Sequence, residues 1–308
     1  PSLYPEHGTT ASELLSHADT AMYYAKHSRK IMVQMFEPGM DERRLRRQKL
    51  AVSLQVAIEQ DQLALHYQPI FRLNSGAIES VEALLRWHSA EYGTVSPLEL
   101  IAVAEQHGLA HRLNEWVLSQ ACRQLHCWHQ AGFDWLKVNV NISPNIFMEG
   151  ELAGTVSGVL RDSGLDASTL VLEITEDTSM WDTAGSLDTL RELRELGIEI
   201  ALDDFGTGYS SFSHLRQLPL NKLKIDKSFV ADLSTDPRAV SLVKTIISLA
   251  ENLDMTVTAE GIELPEQQAM LQQLGCGLGQ GYLLARPMSV EAMSELLSQE
   301  KHYCSRSA

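Results

Sequence analysis

The chain of 308 residues carries 25 Lys and Arg against 40 Asp and Glu, for a formal net charge of −15, and 44% of its residues are hydrophobic. This composition is typical of a globular chain and excludes a disordered or fibrous protein. The acidic balance argues against broad electrostatic binding to DNA, RNA or anionic lipid, so a phosphate-bearing ligand would need local cations or metal ions.

Hydropathy gives no indication of a membrane segment. No stretch approaches the roughly 18 consecutive apolar residues of a spanning helix, and the N-terminal PSLYPEHG lacks the features of a signal peptide. We therefore expect a cytoplasmic location, with no direct membrane contact from this segment. Because the chain begins without Met and in mid-pattern, we also expect it to be part of a longer protein whose remainder can carry a membrane anchor.

The N-terminal fifth of the chain predicts helices. Residues 12–36 predict an amphipathic helix followed by a short strand-like run. Residues 40–62, MDERRLRRQKLAVSLQVAIEQDQ, predict a connecting helix with Asp41 as its N-cap. The predicted domains are an N-terminal fragment (1–37), a linker helix (38–62), a main domain (63–300) and a tail (301–308).

From residue 63 onward, apolar strand-like runs alternate with amphipathic helical stretches. The runs lie at 63–70, 78–87, 136–143, 170–175, 198–205, 222–226, 256–262 and 278–285. The helical stretches, such as 98–130, are long enough for parallel crossovers. This alternation predicts an α/β fold, a (β/α)8 TIM-like barrel. Because little separates the first two runs, we expect an antiparallel hairpin and hence an irregular first strand.

Polar residues end nearly every predicted strand. In (β/α)8 barrels the chemistry lies at the carboxyl ends of the strands, and an inert barrel has no need of a polar group at each of them. The pattern therefore predicts a functional site at this mouth. The residues are Gln68, Glu82, Arg86, Asn141, Glu173, Glu176, Asp203, Asp204, Lys224, Asp226, Glu260, Glu263 and Gln280.

Oxygen donors dominate this set, which favours Mg²⁺ or Mn²⁺ over Zn²⁺. Divalent cations would offset the repulsion between the adjacent Asp203 and Asp204. Neighbouring strand residues point to opposite faces, so both can face the site only if the strand ends or bulges between them. Two ions bridged by such a carboxylate are the usual arrangement for phosphodiester hydrolysis. The predicted ring is Glu82, Asn141, Glu173, Asp203 and Glu260.

Simpler explanations exist for single features. Glu82 alone is compatible with an ordinary charged strand end, and Arg86 with a surface salt bridge. Cys122 and His126 lie one helical turn apart but match no zinc spacing, which favours a packed helix face. GTGYSS lacks the Gly-Lys-Ser/Thr ending of a nucleotide P-loop. The combination of polar strand ends, rather than any one residue, indicates a site.

Seven motifs in this order resemble those of the EAL domain, the bacterial phosphodiesterase of cyclic di-GMP, over about residues 45–298. The N-terminal LYPEHGTTASELLSHADTAMYYAK resembles the C-terminal end of a GGDEF diguanylate cyclase domain, and without that domain's signature half we expect no cyclase activity. Gly277 departs from the EAL pattern, as does Phe212. The motifs are EALLRW (82–87), NIS (141–143), EITE (173–176), DDFGTGYSS (203–211), KIDKSFV (224–230), AEGIE (259–263) and QGYLLARP (280–287).

The resemblance implies two Mg²⁺ or Mn²⁺ ions per site, with inhibition by Ca²⁺. Asp203 and Asp204 would share the second ion, and Glu260 would complete the sphere of the first or position the nucleophilic water. The implied metal ligands are Glu82, Asn141, Glu173, Asp203, Asp204 and Glu260.

The resemblance also implies catalytic and substrate-binding roles. Lys224 would hydrogen-bond or deprotonate the attacking water, and we favour a fixed cation because nearby carboxylates stabilise the ammonium form. Gln280 would orient the water, Glu176 would brace the loop 205–212, and Arg86 would hold a phosphate. The implied catalytic residues are Glu260, Lys224, Gln280 and Glu176. The implied substrate-binding residues are Gln68, Glu82, Leu85, Arg86, Asn141, Asp204, Glu263 and Pro287.

The implied reaction is metal-dependent hydrolysis of cyclic di-GMP to linear pGpG. Two alternatives stay open. One is a catalytically silent EAL domain that acts as a cyclic di-GMP receptor, and the other is a protein-interaction module that binds no nucleotide. The resemblance further implies a homodimer formed through the barrel, and we expect no DNA or RNA partner.

Overall fold

The computed structural model describes residues 1–27, 33–143, 146, 151–176, 184–206 and 215–304. The chain forms two compact units: Pro1–Gln62 with His88–Ala110, and Leu63–Trp87 with His111–Ala308. Within the described ranges, every helix is too short or too polar to cross a bilayer.

The described part of the chain contains ten α-helices and nine strands. The helices are α1 (Ala11–His27), α2 (Met40–Glu59), α3 (Pro97–Gln106), α4 (Ala110–Gln130), α5 (Leu152–Ser163), α6 (Ala184–Glu195), α7 (Lys227–Ala231), α8 (Pro237–Asn252), α9 (Pro265–Gln273) and α10 (Val290–Cys304). The strands are β1 (Ala64–Arg72), β2 (Ile78–Ser89), β3 (Gly93–Val95), β4 (Lys137–Asn141), β5 (Leu170–Thr175), β6 (Glu199–Phe205), β7 (Lys222–Ile225), β8 (Thr256–Ala259) and β9 (Leu278–Gly279).

The first unit packs α1 and α3 against α2. The predicted N-cap of α2 is wrong. The helix begins at Met40, directly after Gly39, whose φ of 84° suits glycine and starts the turn without a side-chain cap. Asp41 instead lies in the first turn, where its Oδ1 accepts a hydrogen bond from Thr20 Oγ1 of α1 at 2.6 Å. The carboxylate therefore joins two helices rather than capping one.

The second unit is a closed barrel, and this confirms the predicted TIM-like fold. Its strands follow the order β1-β9-β8-β7-β6-β5-β4-β2, and β1 pairs with β2 to close the ring. Strand β1 is antiparallel to both neighbours, whereas the other pairs are parallel. The predicted irregular first strand is thus confirmed, because only a few residues connect β1 to β2 and a parallel crossover needs a dozen or more.

Alternation along each strand separates an apolar shell from a polar interior. On β4, Val138 and Val140 are fully buried in the hydrophobic core, while Asn139 between them reaches Glu173 of β5 across the barrel interior. Burying each large aliphatic side chain in that core stabilises the fold by about 1.5–3 kcal/mol. The apolar faces therefore hold the barrel together, which leaves the inward positions available for polar groups.

One predicted helix is two helices in the structure. The stretch 98–130 was expected to be continuous, but α3 ends at Gln106 and α4 begins at Ala110. Gly108, with φ of 69°, makes the break, and Leu109 N then donates to Ala104 O at 2.8 Å. Gly108 therefore ends α3 by adopting the left-handed backbone conformation that commonly follows the last turn of a helix.

The last predicted strand is much shorter than expected. Residues 278–285 were predicted as one run, but β9 ends at Gly279. The chain turns at Gly281, where an added Cβ would lie 2.1 Å from Ile262 O, so only glycine allows this approach. Leu283 N donates to the same carbonyl oxygen at 3.0 Å. The short β3 was not predicted from the sequence.

Candidate metal and catalytic site

Lys224 lies at the centre of four carboxylates inside the barrel. Its Nζ is 2.6 Å from Glu260 Oε1, 2.7 Å from Glu173 Oε2, 3.3 Å from Asp203 Oδ1 and 3.8 Å from Glu82 Oε2. These residues come from β2, β5, β6, β7 and the end of β8, so five segments converge at one point. We call these five residues the upper cluster. One ammonium faces four carboxylates, which leaves a surplus of negative charge.

Amide side chains hold one side of this cluster. Glu82 accepts from Asn141 Nδ2 at its Oε1 and from Gln280 Nε2 at its Oε2, both at 2.7 Å. Gln280 also donates to Gln68 Oε1 at 2.9 Å, and Gln68 donates to Ala285 O at 2.9 Å. The predicted residues Gln68, Glu82, Asn141 and Gln280 are therefore joined in one hydrogen-bond network.

Two adjacent aspartates face the mouth because the strand is irregular between them. The pairing of β6 with β7 shifts register between Leu202 and Phe205, and Asp204 adopts φ of 54°, in the left-handed region. Asp204 N donates to Asp203 Oδ1 at 2.9 Å. The expected strand bulge is thus present in the structure, and it supplies the backbone turn that the two carboxylates require.

Glu176 braces the segment that follows the aspartates. Its Oε2 accepts from Gly206 N at 2.8 Å. Gly206 has φ of 99°, and an added Cβ would lie 2.6 Å from the Phe229 ring, so the turn requires glycine. Most of the predicted loop 205–212, namely residues 207–212, lies outside the described residues.

The donor set fits a hard divalent cation. Carboxylate oxygens of Asp203, Asp204 and Glu260 lie within 4.8 Å of one another, close enough to share an ion. All three supply oxygen, which Mg²⁺, Mn²⁺ and Ca²⁺ prefer over nitrogen or sulfur. Nearby, Gln280 Oε1 is buried with no hydrogen-bond partner among the described residues. The cluster can therefore hold a metal ion, and it leaves a polar acceptor beside it.

Three of the clustered carboxyl groups have raised pKa values. Burial raises the pKa of Glu260 to about 7, and Asp203 adds to this shift while Lys224 opposes it. Burial raises the pKa of Glu173 well above its usual range despite the Lys224 ammonium. Burial and then the charge of Asp203 raise the pKa of Asp204. Each shift favours proton uptake, and a bound cation would relieve the same repulsion.

For Lys224 the same surroundings favour the charged form. Burial alone would lower the pKa of Lys224, but Asp203, Glu173, Glu260 and Glu82 together raise it well above its usual range. For Glu82 burial is outweighed by this ammonium and by two amide donors, so its pKa lies below the usual value. The surrounding carboxylates thus favour the protonated form of Lys224.

A second group of charged side chains lies toward the amino ends of the strands. Glu199 Oε1 is 2.8 Å from Lys137 Nζ, and Glu199 Oε2 is 3.0 Å from Lys222 Nζ. We call these three residues the lower cluster. It belongs to β4, β6 and β7, and β6 and β7 also carry members of the upper cluster.

The structure leaves several predicted residues outside the hydrogen-bonded network. Arg86 is half-buried on β2, before the strand ends at Ser89, and its Nη1 donates to Leu85 O at 2.8 Å. Glu263 is exposed and Pro287 is half-buried. Asp226 caps α7 by accepting from Ser228 N at 3.0 Å. Roles for these residues stay predictions.

Sequence reasoning missed Asn139. Its side chain is 2% exposed, and its Nδ2 donates to Glu173 Oε1 at 2.7 Å. The signal was present, because Asn139 and Asn141 are two residues apart on one strand and must share a face. Attention to strand ends alone excluded it, since Asn139 lies one layer deeper in the barrel.

The chain belongs to the EAL domain family, whose model matches residues 51–287. The cyclic di-GMP phosphodiesterase NbdA of Pseudomonas aeruginosa is 40% identical over 296 residues, which cover 96% of this chain and 38% of NbdA. The bifunctional diguanylate cyclase/cyclic di-GMP phosphodiesterase MucR of the same species is 40% identical over 293 residues, covering 95% of this chain and 43% of MucR. The chain thus spans about two fifths of the length of these relatives.

The fold is also similar to a solved structure of the PaMucR phosphodiesterase in complex with c-di-GMP. The TM-score is 0.76 at 40% sequence identity, and the match covers 80% of this chain and 99% of that one. The similarity therefore extends over almost the whole of that solved chain.

Proposed function

We propose that this chain hydrolyses cyclic di-GMP to linear pGpG in a metal-dependent reaction. The observation that carries the proposal is the upper cluster, in which four carboxylates from different strands surround Lys224 at the carboxyl mouth of the barrel. Relatives at 40% identity that are named for this activity support it. The solved c-di-GMP complex supports the choice of ligand.

The proposed cofactor is Mg²⁺ or Mn²⁺, with two ions per site. When bound, such ions polarise a phosphodiester and lower the pKa of a water molecule. Ca²⁺ is expected to inhibit because it tolerates looser, higher coordination than Mg²⁺. The proposed ligands are Glu82, Asn141, Glu173, Asp203, Asp204 and Glu260.

The protein groups around the ligands would then position the reactants. Lys224, held as a cation, orients the attacking water and a substrate oxygen. Gln280 Oε1, buried and without a partner among the described residues, is placed to accept a hydrogen bond from that water. Glu176 fixes the turn after the aspartates through Gly206. Attack in line with the leaving 3′ oxygen opens the ring and gives pGpG.

Substrate contacts are proposed along the rim of the mouth. Arg86 would exchange its hydrogen bond to Leu85 O for a phosphate oxygen, which accepts a charge-assisted hydrogen bond. Leu85, Glu263 and Pro287 would contact the dinucleotide beside it. Gln68 contributes by holding Gln280 in place.

The N-terminal residues 1–62 precede the predicted barrel domain. We propose that residues 1–37 are the C-terminal end of a GGDEF domain and that residues 38–62 link it to the barrel. Similarity over 293 residues to MucR, which is named a bifunctional diguanylate cyclase and phosphodiesterase, supports this, because it extends upstream of the EAL match that starts at 51. A homodimer through the barrel is a further proposal. Light scattering tests it, and a chain that stays monomeric at the concentration of the activity assay would contradict it.

The direct test is to incubate the chain with cyclic di-GMP and Mg²⁺ and to separate the guanine nucleotides by chromatography. Controls contain Ca²⁺, EDTA, or the variant Asp203→Asn. We expect pGpG only with Mg²⁺ and intact Asp203. Binding without cleavage would favour the receptor alternative, and absence of binding would favour the protein-interaction module.

The role of Lys224 has its own test. We expect Lys224→Met to lose turnover by about 10²-fold or more, because a positioned polar group in a catalytic site contributes at least that much. Single-turnover kinetics with saturating Mg²⁺ measure the effect. A variant that kept most of its turnover would contradict both the fixed-cation role and a role as general base.

A further inference from the structure

Asn139 makes a single directed hydrogen bond to the upper cluster. It lies in the middle of β4, 2% exposed, with the buried Val138 and Val140 on either side facing the apolar shell. Its Nδ2 donates to Glu173 Oε1 at 2.7 Å. Register places Asn139 opposite Glu82 of β2 and Val171 of β5, one layer below the strand ends.

Glu173 is held at both of its oxygens. Asn139 donates to Oε1, and Lys224 Nζ lies 2.7 Å from Oε2. Two donors on opposite oxygens fix the rotation of the carboxylate plane, which a single contact to a lysine tip leaves free. The plane of Glu173 determines where its remaining lone pairs point relative to Asp203 and Glu260.

The carbonyl oxygen of the Asn139 side chain indicates that the amide has a role at this position. Asn139 Oδ1 is buried and has no hydrogen-bond partner in the described part of the chain. An unpaired buried carbonyl oxygen destabilises a fold, and an apolar residue of the same size would avoid that cost. The bond from Nδ2 to Glu173 is the interaction that offsets it.

We propose that Asn139 is a positioning residue for the metal site, acting through Glu173. This inference rests on the proposed function to the extent that Glu173 is a metal ligand. Carboxylate ligands depend on hydrogen-bonded partners behind them, and loss of such a partner lowers metal affinity or activity by about 10–100-fold. Asn139 is then a residue that makes no contact with substrate yet sets the affinity of the site.

Two substitutions separate the hydrogen bond from the shape of the side chain. Asn139→Leu keeps the number and branching of the side-chain heavy atoms, removes the donor and also removes the unpaired oxygen. Asn139→Asp keeps the shape and places an acceptor against Glu173. Ser80→Ala is the matched control, because Ser80 on neighbouring β2 is also buried, at 1% exposure, and its Oγ is unpartnered in the described residues.

The experiment titrates Mn²⁺ into each purified full chain by calorimetry and follows bound Mn²⁺ by electron paramagnetic resonance, with thermal melting in EDTA to confirm folding. We expect both Asn139 variants to bind Mn²⁺ about 10–100-fold more weakly than the parent chain. Ser80→Ala should stay within about twofold, because its hydroxyl makes no hydrogen bond to the site in the described residues. In turnover assays at saturating Mn²⁺, kcat should fall more than KM rises.

Several results would overturn the proposal. Parental Mn²⁺ affinity in Asn139→Leu would mean that the donor is not needed, and tighter binding by Asn139→Asp would mean that a new ligand matters more than orientation. Equal losses in Ser80→Ala would indicate general loosening of the barrel. If Asn139→Leu does not fold, Asn139→Asp decides alone. Should the parent chain bind Mn²⁺ without cleaving cyclic di-GMP, the proposed function fails while the titration still decides the role of Asn139.

Discussion

The upper and lower clusters occupy the same barrel interior but differ in charge balance. In the upper cluster one lysine meets four carboxylates. In the lower cluster one carboxylate, Glu199, meets the two lysines 137 and 222. Strand β6 supplies Glu199 to the lower cluster and Asp203 to the upper cluster, and β7 likewise supplies Lys222 and Lys224. The two clusters are therefore only two to four residues apart along the same strands.

The pKa shifts show what this difference means. In the lower cluster burial would raise the pKa of Glu199, but Lys222 and Lys137 outweigh it and hold the pKa below the usual value. In the upper cluster the pKa of Glu260 rises to about 7 and that of Glu173 rises well above its usual range. In the lower cluster the two lysines more than balance the single carboxylate, whereas in the upper cluster the four carboxylates exceed the one lysine. The excess negative charge of the upper cluster favours binding of a cation, and the lower cluster has no such excess.

The largest expected effect comes from removing a carboxylate of the upper cluster. Asp203→Asn should lower turnover by about 10³-fold or more, equivalent to about 4 kcal/mol in the barrier, because a carboxylate that would hold the proposed metal is lost. Its amide oxygen can still accept from Lys224 and from Asp204 N. The metal-free protein should consequently melt at the same or a higher temperature. A lower melting temperature in EDTA would show that Asp203 is structural.

Removing the carboxylate of the lower cluster should have the opposite consequence. Glu199→Gln leaves Lys137 and Lys222 without their counter-charge, and we expect the free energy of unfolding to fall by about 2–3 kcal/mol. Urea denaturation measures this change, and turnover per folded molecule should be unchanged. The control Asp188→Asn removes an exposed ion pair with Arg191 and should change stability by about 0.5 kcal/mol or less. Loss of specific activity in Glu199→Gln would contradict the independence of the two clusters.

The smallest expected effect is a pH dependence of the metal-free protein. Because the pKa of Glu260 is raised to about 7 in the folded state, its protonated form stabilises the fold at low pH, and that contribution disappears as the pH rises through 7. Compared with Glu260→Gln, the parent chain in EDTA should lose stability between pH 5 and pH 8. Melting curves of both proteins at several pH values measure the difference. A parent chain that gains stability relative to Glu260→Gln would contradict the assigned direction.

Much of the site could be predicted because strand chemistry is local. The alternation of apolar and polar residues on β4 to β8 and the polar strand ends identify Glu82, Glu173, Asp203 and Glu260 without any tertiary information. The bulge between the two aspartates also follows from local geometry, since both carboxylates face the mouth only if the strand is interrupted.

Other features could not be obtained in this way. The break at Gly108 lies inside a continuous helical pattern, because a glycine in that pattern is compatible with either a helix interior or a helix end. The early end of β9 depends on the contact of Gly281 with Ile262, which is remote in sequence. Local propensity contains no information about such a contact.

The residue pattern alone therefore establishes the barrel, the mouth that carries the chemistry and the acidic character of the site, since each follows from backbone periodicity and residue type. Which charged side chains pair with one another depends on the closure of the barrel. Closure sets the register between strands, and register places Asn139 against Glu173, Lys224 among four carboxylates and Glu199 between two lysines. Electrostatic interactions depend on these distances rather than on sequence separation. For that reason the division into a lower cluster with one excess lysine and an upper cluster with excess carboxylates belongs to the tertiary structure.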